Sequence, residues 1–172
     1  MSVTQTQFEK ALAIGWVIYQ DSTYTAGSPL SVASAKVQLT NDGLGAGTNK
    51  SDLPEDVTDF WDSVTNTIIS DNEGASFDIR LQFTATSSAV NTYFDVTFDI
   101  GGAGTTIIAG QTKIAPKGIG VPTRYTVDIP IFSLATFIAN GCKIYLDTSA
   151  AAFTLSVYDI YLMVKRDYKR IA

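Results

Sequence analysis

Acidic side chains are the residues of this sequence best suited to enzyme chemistry. Asp78, Asp95 and Asp99 lie on two segments that we predict to be paired strands, an arrangement that sets the three carboxylates on one face. A glycosidase needs two carboxyl groups facing each other across a sugar-sized gap. Arg80 and other polar residues share this predicted face, however, and such a mixture is typical of a solvated β surface. We therefore expect no catalytic residues and no enzyme.

Other catalytic and metal-binding arrangements lack their essential residues. The chain has no histidine, which excludes Ser-His-Asp and Cys-His arrangements and zinc sites that use histidine. Cys142 is the one cysteine, so no disulfide forms within the chain, and we expect it to be a small core residue. Asp42, Asp52 and Asp56 do not follow the spacing of a known calcium loop. We expect no metal and no cofactor.

A glycine-rich segment at 43–51 can be compared with a phosphate-binding loop. It contains the Lys50-Ser51 pair, but Leu44 and Asn49 occupy positions where a P-loop has glycine. No amphipathic helix follows the segment to direct its N-terminus at a phosphate. We therefore expect a surface loop without a nucleotide.

The charge balance argues against nucleic acid as a partner. The chain has 12 Lys and Arg against 17 Asp and Glu, a net charge of −5, so it has no basic stripe to neutralise phosphates. No apolar run approaches the roughly 20 residues that a membrane-spanning helix needs. The first residues also lack the basic start and apolar core of a signal peptide. We therefore expect no membrane partner and synthesis in a cytoplasm.

The elements that must position these residues are strands. Thr, Ser, Gly, Val, Ile, Phe and Tyr are abundant, and short apolar segments alternate with turn residues at intervals of about 8–12 residues. The sequence therefore predicts an all-β fold, a sandwich or jelly roll with eight to ten strands. We divide the chain into a short N-terminal arm, residues 1–13, and one jelly-roll domain, residues 14–172.

The clearest alternation runs from Ser76 to Gly102. Apolar residues at every second position of two successive segments predict one buried face on each strand. We interpret the pair as an antiparallel hairpin in which Phe83 lies opposite Phe94 and residues 87–90 form the turn.

The last predicted strand, 152–165, is apolar on alternating residues but changes phase along its length. This change predicts a bulge near Tyr158 and Asp159. Because both faces then look largely apolar, we predict that the second face meets a neighbouring subunit. The predicted interface residues are Val157, Tyr158, Ile160, Tyr161, Leu162 and Val164.

Several short motifs together resemble a family of bacteriophage virion proteins that have a trimeric jelly roll akin to the heads of C1q and tumour necrosis factor. The motifs cover most of the chain and are Leu39–Gly45, Leu53-Pro54 leading to Phe60-Trp61-Asp62, Phe77–Leu81, Asp99–Gly102, and Ile131-Phe132 leading to Asn140-Gly141. The resemblance implies a C1q/TNF-like homotrimer on a viral particle, either a capsid decoration (cement) protein or the knob of a fibre. It implies no catalytic residues.

Two functions follow from this resemblance. The first is a structural virion protein that binds the major capsid protein on the outside of the shell, with Phe8, Leu12 and Trp16 as candidate attachment residues. The alternative is a receptor- or glycan-binding knob, in which Tyr19, Tyr24 or Tyr145 stacks on sugar. The short chain and the lack of a predicted shaft favour capsid decoration. A hydrolase that uses acidic residues is a third, weaker hypothesis.

Overall fold

Strands form most of the structure. The computed structural model describes residues 14–102 and 105–168, so the predicted arm at 1–13 lies outside the described residues. The elements are β1 (Gly15–Gln20), β2 (Leu30–Ala33), β3 (Lys36–Gln38), β4 (Trp61–Asp62), β5 (Thr67–Ile68), β6 (Ser76–Ser87), β7 (Tyr93–Asp99), β8 (Ile107–Ile114), β9 (Thr123–Phe132), α1 (Ala135–Asn140), β10 (Lys143–Asp147) and β11 (Thr154–Tyr168). No helix within those residues is long and apolar enough to cross a membrane.

Two antiparallel sheets pack face to face. The first sheet has the order β1-β11-β6-β9, and β2 also pairs with β11. The second sheet has the order β3-β10-β7-β8, while β4 and β5 form a small separate ribbon. Side chains from the inner faces of both sheets form one core, as in other β-sandwiches. The predicted all-β jelly-roll sandwich is confirmed.

The alternating residues of β6 and β7 build the centre of this core. Phe77, Leu81 and Phe83 of β6 are at most 1% exposed, as are Phe94 and Phe98 of β7. Each such side chain contributes roughly 1.5–3 kcal/mol when it is transferred from water to the interior. The predicted inward faces of these two strands are therefore confirmed.

The predicted hairpin between β6 and β7 is wrong. β6 pairs with β11 and β9 in the first sheet, whereas β7 pairs with β10 and β8 in the second. The connection between them therefore crosses from one sheet to the other. Phe83 and Phe94 do meet, but across the core, with ring centroids 6.2 Å apart.

The predicted bulge in the last strand is present. The pairing of β11 with β6 shifts between Tyr158 and Tyr161, and Asp159 has a φ of 51°. The extra residue resets the alternation, so Val157 before the bulge and Ile160 after it both point inward. The two apolar phases therefore share one face of the sheet.

This shared face corrects the interpretation of the predicted subunit interface. Val157, Ile160, Leu162 and Val164 are fully buried within the chain itself, so they have no side-chain surface to offer a neighbour.

Side chains close the sandwich where the free edges of β8 and β9 meet. Gln111 Nε2 donates to the backbone oxygen of Asp128 at 2.9 Å. Tyr125 Oη donates to the backbone oxygen of Ile114, also at 2.9 Å. These two bonds place β8 and β9 antiparallel to each other, so the start of β8 lies beside the end of β9.

Candidate functional site

The three acidic residues proposed as a carboxylate cluster lie in different environments. Asp78 is exposed on the outer face of the first sheet. Asp95 lies on β7 and accepts a hydrogen bond from Thr112 Oγ1 at 2.5 Å. Asp99 is fully buried, and its Oδ1 accepts from the backbone N–H of Gly101 at 2.8 Å. The predicted single face is wrong because β6 and β7 belong to different sheets.

Charged residues on the outer face of the first sheet pair locally. Arg80 Nε donates to Asp128 Oδ1 at 2.6 Å, so Arg80 does not face the acids of β7 as the predicted hairpin required. Lys165 forms an ion pair with Asp167. A hydrogen bond between the carboxyl groups of Asp78 and Asp167, together with burial, raises the pKa of Asp78. These groups form a charged strip across β9, β6 and β11.

Backbone groups of the glycine-rich loop are used within the protein. The N–H of Gly45 donates to the Gln20 backbone oxygen at 2.8 Å, and the N–H of Gly47 donates to Gln20 Oε1 at 2.5 Å. Lys50 pairs with Asp59. The loop is thus folded onto β1 and does not present a ring of N–H groups for a phosphate.

Asp42, one of the residues considered for calcium, is engaged in loop hydrogen bonds. Burial opposes its ionisation, but bonds from Ser22, Leu44 and Thr23 outweigh this effect and lower the pKa of Asp42. No group of three or more histidine, cysteine, aspartate or glutamate side chains in the described segments is placed to hold a metal ion.

Two of the tyrosines considered for sugar stacking retain exposure. Tyr19 is only 1% exposed, so its ring cannot stack on a ligand. Its hydroxyl donates to Asp59, and burial is the main cause that raises the pKa of Tyr19. Tyr24 and Tyr145 are half-buried, and Lys36 Nζ lies 4.6 Å from the centre of the Tyr145 ring.

Of the predicted capsid-attachment residues, Phe8 and Leu12 lie outside the described residues. Trp16 is half-buried on β1, where it pairs with Lys165 of β11. From the predicted interface set, Tyr161 is half-buried and Tyr158 is 9% exposed.

Half-buried apolar side chains occupy part of the outer face of the first sheet. We call Trp16, Ile18, Tyr161 and Met163 the receiving face. Ile18, Tyr161 and Met163 line a shallow cavity of about 160 Å³ together with Arg80 and Gln82.

Exposed apolar side chains concentrate where β8 and β9 meet. We call these six residues the apolar seam: Ile107, Ile108, Ile114, Ile119, Val121 and Phe132. Ile114 is 75% exposed, Ile119 67% and Phe132 64%. Apolar side chains that stay exposed along one edge are candidates for contact with another chain, so we treat the apolar seam as a candidate interaction surface.

Sequence reasoning missed the apolar seam, although one of its residues breaks a visible pattern. The outward positions of β9 are Arg124, Thr126, Asp128 and Pro130, and Phe132 continues the same phase. A large aromatic residue at a position where the strand pattern places polar residues is the signal in the sequence that points toward this surface.

A second surface, at the end of the sandwich where β11 finishes, contains an open cavity. The cavity has a volume of about 250 Å³. We call it the acidic pocket; its lining combines three aspartates with apolar and hydroxyl side chains, namely Asp56, Val57, Thr58, Asp59, Phe60, Ile69, Ser70 and Asp71.

Arg166 lies fully buried behind the acidic pocket. Its Nη2 donates to Asp56 Oδ1 at 2.5 Å, and its Nη1 lies 3.6 Å from Asp71 Oδ1. The guanidinium carbon is 5.5 Å from the centre of the Phe60 ring. Because a buried charge is costly without partners, Arg166 holds the two loops that carry these residues against β11.

Comparisons with known proteins identify the fold. No family model and no curated protein sequence matches the chain. Among solved structures, the chain is similar to Eiger TNF from S. frugiperda, with a TM-score of 0.52 and 11% identity over 93% of this chain and 96% of that one. The PRD1 vertex protein P5 is similar with a TM-score of 0.48 and 15% identity, over 92% of this chain and 99% of that one. A CBM4 structure is similar with a TM-score of 0.44 and 18% identity, over 86% of this chain and 93% of that one. The chain therefore has a TNF-like jelly-roll fold.

Proposed function

We propose that this chain is a structural protein of a bacteriophage particle, which binds the outside of the capsid as a homotrimer and stabilises the shell. Two kinds of observation support the proposal. The motifs described above resemble those of trimeric phage virion proteins, and the fold is the TNF-like jelly roll that the resemblance implies. The partners are two further copies of the chain and the major capsid protein.

The apolar seam is the observation that carries the proposal of a trimer. Its side chains lie at one edge of the sandwich, whereas the receiving face lies on the broad side of the first sheet. A contact that joins two different surfaces of identical subunits is head-to-tail, and it closes into a ring when the rotation between subunits fits. We assign the seam of each subunit to the receiving face of the next, in a ring of three.

This assignment explains why the receiving face has an apolar middle and a charged border. Trp16, Tyr161 and Met163 are each half-buried in the single chain and have further surface to bury. The ion pair between Arg80 and Asp128 flanks them. An apolar centre with a polar rim is the usual composition of a protein interface.

In capsid decoration, this chain binds the assembled shell and not the separated capsid subunits. Such a ligand stabilises the state to which it binds, by mass action. In the proposal, the N-terminal arm supplies Phe8 and Leu12 to the capsid, and Trp16 continues that contact onto the domain.

The proposal is tested by counting copies of the chain on purified particles and by heating the particles with and without it. We expect copies in the hundreds, arranged in threes over the shell, and a shell that opens at a lower temperature after the chain is removed. A few copies confined to a tail or fibre, with no change in shell stability, would contradict capsid decoration.

A receptor- or glycan-binding knob is the second candidate. The observation that favours it is Tyr145, which stays half-buried on the second sheet beside Lys36. An aromatic ring that keeps part of its surface exposed can stack on a sugar. Binding to a glycan array that is lost in Tyr145→Ala, combined with a location at a fibre tip, would select this function over decoration.

A further inference from the structure

We propose that the contact between the apolar seam and the receiving face is regulated by pH, through one proton that Asp78 and Asp167 share at the border of that face. We call these two residues the carboxyl pair. The inference rests on the proposed trimer, because it concerns the surface on which one subunit receives the next. It deepens that proposal by naming the condition that strengthens the contact.

The first observation is the position of the carboxyl pair beside the receiving face. Asp78 of β6 lies opposite Lys165 of β11, and Trp16 of β1 lies opposite Lys165 on the other side. Residues that lie opposite each other in a sheet project from the same face, so these three side chains share the outer face of the first sheet. A neighbour seated on Trp16 therefore comes within two strands of Asp78.

The second observation is a cavity that connects the carboxyl pair to the receiving face. The cavity has a volume of about 370 Å³. It is lined by Asp78, Ile79, Arg80, Asp128, Ile129, Pro130, Met163 and Lys165. Arg80 and Met163 also line the smaller cavity of the receiving face. Because the two cavities share these side chains, a subunit that fills them also removes water from Asp78.

The third observation is the hydrogen bond between the two carboxyl groups of the pair. An ionised carboxylate only accepts hydrogen bonds, so one member of the pair must carry a proton for this bond to form. The bond to Asp167, followed by burial and by the negative charge of Asp167, raises the pKa of Asp78. The pair therefore keeps a proton to a higher pH than an isolated aspartate does.

Charged groups on both neighbouring strands act on Asp78. Lys165 of β11 favours the ionised form of Asp78, whereas Asp128 of β9 opposes it. Both groups also have other partners, since Lys165 forms an ion pair with Asp167 and Arg80 Nε donates to Asp128 Oδ1 at 2.6 Å. The influence of Asp167 outweighs the attraction of Lys165, so the net effect favours the neutral form of Asp78.

The direction of the regulation follows from desolvation. Covering two ionised carboxylates with an apolar surface costs more free energy than covering a pair that shares a proton. The contact therefore raises the pKa of Asp78 further than in the free subunit, so that association takes up protons and strengthens as the pH falls. This contribution is lost as the pH rises through the pKa reached in the trimer. One proton for each contact changes its association constant by at most about tenfold per pH unit.

The test is sedimentation equilibrium of the full-length isolated protein at about pH 7.5 and about pH 5. We expect the association constant of each contact to be at least about threefold higher at the lower pH. In Asp78→Asn, which keeps the shape and takes up no proton, we expect the same constant at both values. Asp167→Asn tests the pair independently, and thermal unfolding at each pH establishes that both variants are folded. If the folded variants keep the pH dependence of the parent, the carboxyl pair is not the regulator.

A control variant separates the carboxyl pair from general repulsion between acidic subunits. Asp147 lies on the outward phase of β10 in the second sheet and does not line the cavity. Asp147→Asn removes the same charge as Asp78→Asn, and we expect it to keep the pH dependence of the parent. Equal losses of pH dependence in the two variants would mean that only net charge matters and would refute the inference.

The parent protein distinguishes a failure of this inference from a failure of the trimer. A trimer with the same association constant at both pH values would refute regulation by the carboxyl pair and leave the proposed trimer intact. A monomer at both pH values would refute the trimer, and the regulation with it.

Discussion

The rings of Phe83 and Phe94 lie 6.2 Å apart and join the two sheets of the sandwich. Tyr125 completes the cluster, stacked on Phe83 at 5.4 Å and edge-to-face with Phe94 at 5.2 Å. These three residues come from β6, β7 and β9, so one aromatic cluster ties the central strand of the first sheet to its edge strand and to the opposite sheet. Aromatic pairs of this kind contribute roughly 0.5–1.5 kcal/mol beyond the burial of their area.

The aromatic cluster predicts a large effect of truncation at Phe94. We expect Phe94→Ala to lower the free energy of unfolding by about 3–5 kcal/mol, because it leaves a cavity between the sheets. Urea unfolding at fixed protein concentration measures this change. Tyr93→Ala is the control, because the neighbouring ring is 47% exposed and its loss should cost less than about 0.5 kcal/mol. Similar losses for both variants would contradict the packing described here.

The apolar seam predicts which substitutions dissociate the proposed trimer. We expect Ile114→Asp combined with Phe132→Asp to convert a species of three times 18.5 kDa into one of 18.5 kDa in sedimentation velocity. The reason is that a desolvated carboxylate without a partner opposes association. Val64→Asp is the control, since Val64 is 88% exposed and outside the seam. A parent protein that sediments as a monomer at micromolar concentration would refute the trimer itself.

The buried charge of Arg166 predicts that a second substitution partly compensates for the loss of its partner. We expect Asp56→Ala to destabilise the fold by about 2–3 kcal/mol, less than a fully buried pair would, because Asp56 is 31% exposed and Asp71 still lies near the guanidinium. Arg166→Met in the Asp56→Ala background should restore part of the loss, since it removes a buried charge that has lost its Asp56 partner. Urea unfolding measures both, and an additive double variant would show that the two residues are not coupled.

The lone thiol predicts a pH-dependent reactivity. Cys142 is fully buried, and burial followed by the charge of Asp99 raises its pKa to about 12. At pH 8.5 the native thiolate fraction is then below about one in a thousand, whereas the unfolded thiol is about half ionised. We expect iodoacetamide to label Cys142 in urea and not in buffer. Rapid labelling in buffer would mean that the thiol is accessible.

The same thiol gives the sign of a stability change at alkaline pH. A raised pKa in the folded state means that folding favours the neutral thiol. Its contribution is fully present below the unfolded pKa of about 8.5 and is lost as the pH rises through the folded pKa. We therefore expect Cys142→Ala to reduce the loss of stability between pH 8.5 and 11, as measured by urea unfolding.

The lowered pKa of Asp62 predicts the opposite pH dependence, a loss of stability as the pH falls. Hydrogen bonds from the Thr65 hydroxyl and the Val64 N–H lower the pKa of Asp62. The contribution of these bonds is therefore present above the unfolded pKa of about 3.9 and is lost as the pH falls through the lowered pKa. We expect Asp62→Ala to be less stable than the parent at pH 7 and equal to it at the lowest pH. A constant difference across this range would mean that ionisation of Asp62 is not involved.

The fold class and the inward faces of the strands were predictable from the sequence because side-chain alternation depends only on the strand itself. The strands with which each strand pairs were not predictable from the sequence. A hairpin and a connection that crosses between sheets place the same residues of β6 and β7 inward, so alternation alone cannot distinguish them. The difference lies in contacts with β9, β10 and β11, all of which come later in the chain.

The candidate sites show a similar limit. The bulge at Asp159 was predictable from the change of phase, but the two apolar phases were then assigned to two faces. A bulge keeps them on one face, which is why Val157 and Ile160 are both in the core. The apolar seam and the acidic pocket each combine residues from separate loops and strands, so their formation depends on the packing of the two sheets.

The two hydrogen bonds that Gln111 and Tyr125 make to the backbone of the opposite strand have a consequence for solubility. A free sheet edge lined with isoleucines is a template for uncontrolled growth, in which strand adds to strand and fibrils result. Here the carbonyl groups of Asp128 and Ile114 are already occupied by side chains. The edge can therefore offer its apolar side chains to a neighbour while these positions of its backbone resist strand addition, which favours closed assemblies over aggregates.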